Sequence, residues 1–139
     1  CDGAHVSPDV LRLVYDVLGP ARTVVVTDNL HIAGTGAARA RFGAGAVFAS
    51  GGAAVRADGT IVGSVTTFDQ HFRNVCHFFG IDPAEAFRIC AENAAQLAGV
   101  DDRKGRVAPG MDADIVLLDD DLEVVATVCR GRLVYQRQR

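Results

Sequence analysis

Three short stretches of this chain carry residue types able to do chemistry, and each adjoins an expected element. Asp28 directly follows Thr23-Val24-Val25-Val26-Thr27, a continuous β-branched run of the kind that forms a strand buried on both faces. In parallel sheets ligands meet the C-terminal strand ends, because the strand-to-helix loops lie there. A carboxylate at that point sits on a rigid element and faces a cleft, where it can serve function. The alternative is an aspartate that only caps a helix or lines a loop. His5 lies in Asp2-Gly3-Ala4-His5, just ahead of a helix. If a strand precedes that loop, it shares a face with Asp28, and its N–H groups and imidazole can hold a phosphate or a hydroxyl. A surface or capping histidine is the other reading. The third stretch is Gly59-Thr60-Ile61-Val62-Gly63-Ser64. Gly63 lets a ligand approach the backbone, and Ser64 is expected to cap the helix after it. By itself this pattern occurs in many unrelated loops.

The remaining histidines add little. His71 and His77 are six apart on one expected helix, so they face different ways and cannot share a metal. His31 comes three after Asp28, without an assigned task. There is no HxH or HExxH, and Cys1, Cys76, Cys90 and Cys129 are scattered with no CxxC pair. The chain is therefore expected to hold no complete metal site. Cys76 and Cys90 sit in apolar helical patterns, as buried free thiols do, which fits a reducing cytoplasm.

Periodicity supplies the scaffold for these residues. Ser7-Pro8 opens a helix with Val10, Leu11, Val14 and Leu18 as its apolar face, ended by Gly19-Pro20. The run to Thr27 is the buried strand, so helix and strand together suggest a parallel α/β layer. A Gly- and Ala-rich excursion over 33–63 places Phe42, Val47, Phe48 and Val55 inward, with a hairpin turn at Ala57-Asp58-Gly59. Phe68, Phe72, Val75, Cys76 and Phe79 recur at helical spacing. Asp82-Pro83 with Glu85 reads as a capping box, and Phe87, Cys90, Ala91, Ala94 and Leu97 as the buried stripe of that helix, closed by Gly99. Three strands finish the chain: 115–118, then 124–129 and 133–135 around Gly131.

Composition sets the frame. The 139 residues, 49% hydrophobic and 22% charged with 15 glycines, describe a globular α/β chain rather than a disordered one. A net charge of −3 leaves no electrostatic footprint for nucleic acid or an anionic membrane. The one basic cluster, Arg130, Arg132, Arg137 and Arg139, reads as a solvated tail. No apolar run reaches transmembrane length; because the chain opens inside a loop motif, a segment upstream is expected, processing being the other reading.

Taken together these stretches resemble the N-acetylglucosamine-6-phosphate deacetylase family of the amidohydrolase superfamily. Asp2-Gly3-Ala4-His5-Val6 resembles its DGxHV loop, Val26-Thr27-Asp28 its VTD strand end, and Gly59 to Ser64 its GTLAGS segment. Arg73-Asn74 falls where the family has "RN", and Glu92-Asn93-Ala94-Ala95 approximates its "NPA" without the proline. Lys104-Gly105, Pro109-Gly110 and Ala113-Asp114 resemble the closing KGxxxPGxxAD segment, which many amidohydrolases share. The resemblance implies the C-terminal portion of a (β/α)8 TIM-like barrel, over 1–105, plus strands of a small β domain over 106–139. It implies hydrolysis of N-acetylglucosamine 6-phosphate to glucosamine 6-phosphate and acetate, with Asp28 as acid/base toward a metal-bound water. Asp2, Gly3, Ala4 and His5 would contact substrate, as would Ile61, Val62 and Gly63. A divalent metal, zinc or similar, would be held by ligands upstream of Cys1, and the intact enzyme would be a homodimer acting on an amino sugar phosphate.

There are departures. Val62 stands where the family has Ala or Ser, and Asn29-Leu30-His31 replaces an Ala-rich stretch. A closed barrel takes about 250 residues, so this chain alone is expected to be incomplete. Two other readings remain: a different amidohydrolase, dihydroorotase-like or aminoacylase-like, and a non-catalytic half-barrel acting by association.

Overall fold

The structure, a computed structural model, describes residues 1–138. Arg139 of the basic tail lies outside them, while Arg130, Arg132 and Arg137 are exposed as expected. Helix α1 (Pro8–Leu18) opens with Pro8 in the first turn, but Ser7 makes no side-chain capping bond. Its buried line also differs from expectation. Tyr15 is buried and Leu11 and Leu18 are half-buried, whereas Val10 and Val14 are exposed. The helix carries apolar side chains around most of its girth. The line 11–15–18, spaced i, i+4, i+7, includes Tyr15, which stacks on Phe79 of helix α2 (Phe68–Phe79) with ring centroids 4.6 Å apart, and Arg12 donates to the Phe79 carbonyl.

The largest correction concerns Thr23 to Thr27. The segment forms no strand, and Val26 is exposed where a doubly buried strand would enclose it. β-branched side chains favour extended backbone, but a strand exists only when neighbours complete its ladder. Among the described residues the Val25 N–H donates to Ile89 at 3.2 Å, and past the end of the segment Asn29 makes a single parallel bridge to Ser64. Val25 is nonetheless buried, in a core with Tyr15, Val75, Phe79, Ala86, Ile89 and Cys90.

The excursion folds as an antiparallel meander of β1 (Arg39–Phe42), β2 (Gly45–Ser50), β3 (Ala53–Val55) and β4 (Ile61–Ser64). The hairpin at 57–59 forms as expected, with the Gly59 N–H donating to Arg56 at 2.9 Å. Val47 is fully buried, Phe48 and Val55 are half-buried, and Phe42 is exposed at the edge. Ser64 ends β4 rather than capping α2, whose N-cap position is taken by Thr67. The cap falls three residues later because the chain must first turn off the sheet.

The next helical stretch has three parts: α3 (Pro83–Phe87), a π turn (Arg88–Glu92) and α4 (Asn93–Leu97). The Asp82 carboxylate accepts from the Glu85 N–H at 2.8 Å, the expected cap. The π turn inserts a residue and rotates the succeeding helix by about a quarter turn or more. Beyond it the expected stripe is displaced: Leu97 is exposed, and Asn93 and Ala95 are turned inward instead, while before it Phe87 is exposed and within it Cys90 is buried. The chain closes with the antiparallel sheet β5 (Ile115–Leu118), β6 (Val124–Cys129) and β7 (Arg132–Gln136). Lys104 pairs with Asp112 at 2.9 Å and also with Asp114, joining the helical part to this sheet. Arg73 of α2 donates to the Leu122 carbonyl at 3.1 Å across the same boundary. Among the described residues no helix is long and apolar enough to cross a membrane.

Candidate active site

The opening loop is fixed before it is used. Asn74, on α2, donates to the Cys1 carbonyl at 2.9 Å. The Asp2 carboxylate accepts from the N–H groups of Ala4 at 2.9 Å and His5 at 3.1 Å, an Asx-type turn. Gly3, at φ 76°, lies against the Phe78 ring. The second oxygen of Asp2 lies 2.7 Å from His5 Nδ1. Burial works against charge on Asp2, but the two N–H groups and the imidazole outweigh it and hold the carboxyl down at about 2. Asp2 is thus ionised and accepts only, so Nδ1 is the donor.

Asp28 is held from the other side. Its backbone takes φ 52°, in the left-handed region that Asp and Asn tolerate better than other side chains. Its carbonyl accepts from the Ser64 N–H at 2.8 Å, and the Leu30 N–H donates back to Ser64 at 3.0 Å. Ser64 is fully buried, and its hydroxyl donates to Gly52 at 3.1 Å. Gly63, at φ 147°, lets β4 pass close to Asp28: a Cβ there would lie 2.9 Å from the Asp28 carbonyl oxygen. The end of β4 therefore dictates the turn that presents the aspartate.

The two halves meet at His5 Nε2, which lies 3.9 Å from Asp28 Oδ2. The result is a line of carboxylate, imidazole and carboxylate. The inner carboxylate, Asp2, has a side chain only 6% exposed, while His5 is 35% and Asp28 73% exposed. The outer two can meet a ligand and the inner one is shielded. Gly63 is buried beside Asp28, and Val62, half-buried, and Ile61, exposed, precede it along β4. His31 and His77 are exposed. His71 is fully buried, its ring nitrogens making no well-formed hydrogen bond among the described residues; desolvation holds its pKa below the usual value against the opposing Thr27 and Thr66 backbones. Among the described residues no three His, Cys, Asp or Glu side chains form a group able to hold a metal ion. Sequence reasoning placed Asn74 in the Arg73-Asn74 match but missed its hold on the opening loop, and missed the bracing by Ser64. The first had a signal, an amide opposite the solvent on an amphipathic helix.

The chain is similar to known proteins in sequence and fold. The pattern of the Amidohydrolase family matches residues 21–134. The chain belongs to the amidohydrolase family. It is 33% identical to N-acetylglucosamine-6-phosphate deacetylase of Bacillus subtilis, over 96% of this chain and 34% of that protein. It is also 33% identical to a putative N-acetylgalactosamine-6-phosphate deacetylase of Escherichia coli, over 95% of this chain and 78% of that one. The crystal structure of N-acetylglucosamine-6-phosphate deacetylase from Thermotoga maritima superimposes with a TM-score of 0.89 at 36% identity, covering 99% of this chain and 38% of that one. The chain thus spans about a third of the length of the first relative. As an amidohydrolase segment it is the C-terminal portion of a TIM-like barrel with strands of the small β domain. In a barrel, the segment before Asp28 would be flanked by further strands, which accounts for a β-branched run that has so little to pair with here.

Proposed function

We propose that the intact polypeptide carrying this segment hydrolyses the acetamide of N-acetylglucosamine 6-phosphate, releasing glucosamine 6-phosphate and acetate. Asp28 is the acid/base. It takes a proton from the attacking water as the C–O bond forms, and delivers it to the amine nitrogen as the C–N bond breaks. Its exposure and its rigid seat on the end of β4 support that role. His5, with Gly3, Ala4, Ile61, Val62 and Gly63, lines the patch that receives the sugar, and Asp2 belongs to the same loop. The observation that carries the reading is the 3.9 Å approach of His5 Nε2 to Asp28 Oδ2, since it brings two segments of the resemblance to one point.

Among the described residues no group of His, Cys, Asp or Glu forms a metal site; the divalent cation of this reading would be held by other parts of the intact enzyme. Residues 1–105 are assigned to the barrel and 106–139 to the small β domain. The reading extends to a cytoplasmic homodimer, the four free cysteines supporting the compartment. Turnover of both N-acetylhexosamine 6-phosphates by the full-length enzyme, with and without Asp28→Asn, tests the proposal. A loss of about 10²- to 10⁴-fold in kcat is expected from removing acid/base chemistry. Near-normal turnover in the variant would remove Asp28 from the mechanism, and preference for the galacto epimer would correct the substrate.

A further inference from the structure

We infer that Asp2 is a positioning residue that acts through His5, fixing the imidazole with its proton on Nδ1 so that the Nε2 lone pair faces Asp28 and the sugar. The inference deepens the deacetylase reading and rests on it for the word substrate, though not for the geometry. The grounds are local. The Asp2 side chain is 6% exposed, so it has almost no surface to offer a ligand. Its Oδ1 is occupied by the Ala4 and His5 N–H groups, and its Oδ2 lies 2.7 Å from His5 Nδ1. The opposite ring nitrogen is the one 3.9 Å from Asp28 Oδ2. A carboxylate behind a histidine sets its tautomer and its ring orientation together.

A neutral His5 held this way is a hydrogen-bond acceptor at Nε2. It therefore suits a donor such as a sugar hydroxyl, whereas a phosphate oxygen would require the ring to be doubly protonated. Asp2→Asn is the discriminating change. The amide oxygen can keep the two backbone N–H groups, so the loop turn survives. Its NH₂ then faces Nδ1 and donates, which favours the proton on Nε2 and turns the acceptor toward Asp28 into a donor.

The experiment uses the full-length enzyme with ¹⁵N-labelled histidine. In the resting wild type, His5 is expected as the Nδ1-protonated tautomer, and in Asp2→Asn as the Nε2-protonated one. With N-acetylglucosamine 6-phosphate as probe, Asp2→Asn is expected to lower kcat/KM on the order of 10- to 100-fold. In a His5→Gln background it is expected to cost less than about twofold, because its target is gone. An Nε2-protonated His5 in the wild type overturns the inference even if no variant folds. So does an equal loss from Asp2→Asn in both backgrounds. If the wild type hydrolyses neither N-acetylhexosamine phosphate, the deacetylase reading fails while the tautomer measurement still decides the role of Asp2.

Discussion

Asn93 offers a stringent test of how the barrel portion is held together. The π turn swings this amide inward, where it is 8% exposed, and its NH₂ donates to the carbonyls of Pro20 at 2.6 Å and Thr23 at 2.7 Å. Those two bonds tie the base of the extended segment that ends in Asp28. Asn93→Leu keeps the volume and removes both donors. At roughly 1 to 1.5 kcal/mol per bond the loss is about 2 to 3 kcal/mol, before the cost of two stranded carbonyls is added. Since about 1.4 kcal/mol is a factor of ten, the opening that exposes the Val25 N–H, bonded to Ile89, should become on the order of 100-fold more frequent. Hydrogen exchange of the full-length protein, monitored by mass spectrometry over peptides containing residues 20–28, reads this directly. Exchange within about twofold of wild type would refute the account, because no other side chain among the described residues bridges Pro20 and Thr23 to that helix.

The same geometry yields further expected outcomes. Gly63→Ala combines a disfavoured φ with a Cβ 2.9 Å from the Asp28 carbonyl; about 1 to 3 kcal/mol of strain is expected, seen as a lowered Tm with reduced kcat, and an unchanged pair of values would count against the bracing of Asp28 by β4. His71 is buried, and desolvation lowers its pKa although the Thr27 and Thr66 backbones oppose the shift. The unfolded chain therefore takes up a proton below about pH 6.5 that the folded chain resists, so stability should fall as pH drops through that range. Urea unfolding from about pH 7.5 to about pH 5.5 should show a slope that His71→Leu reduces, and an unaltered slope would dismiss His71 as its source.

The features legible in the sequence divide from the illegible ones along the range of the interactions. The cap at Asp82, Pro8 in the first turn of α1, the turn at 57–59 and the three closing strands are decided by residues a few positions apart, and all are legible. The state of Thr23 to Thr27 depends on ladder partners elsewhere, so a β-branched run could announce extended backbone but not a strand. The π turn has no residue signature of its own, and regular helical counting therefore misplaces the buried stripe of the helical stretch beyond Arg88. For the site, the sequence named His5 and Asp28, which the fold brings within 3.9 Å of each other, but not how their surroundings are arranged. That Asp2 is shielded behind His5, that Ser64 supports Asp28 instead of capping α2, and that Asn74 anchors the opening loop all depend on contacts between distant segments.

The left-handed backbone at Asp28 has a consequence for anyone interrogating this position. Conformation screens the amino acid there before chemistry does: only Gly, Asn and Asp enter that region at little cost. An alanine at 28 would add a folding defect of roughly 1 to 2 kcal/mol to the loss of the carboxylate, and a glutamate would suffer the same defect while keeping its acid. Asparagine alone changes the proton chemistry and leaves both the torsion and the side-chain shape in place, so the gap between the asparagine and alanine variants is a direct gauge of how much of the apparent catalytic contribution is really geometry.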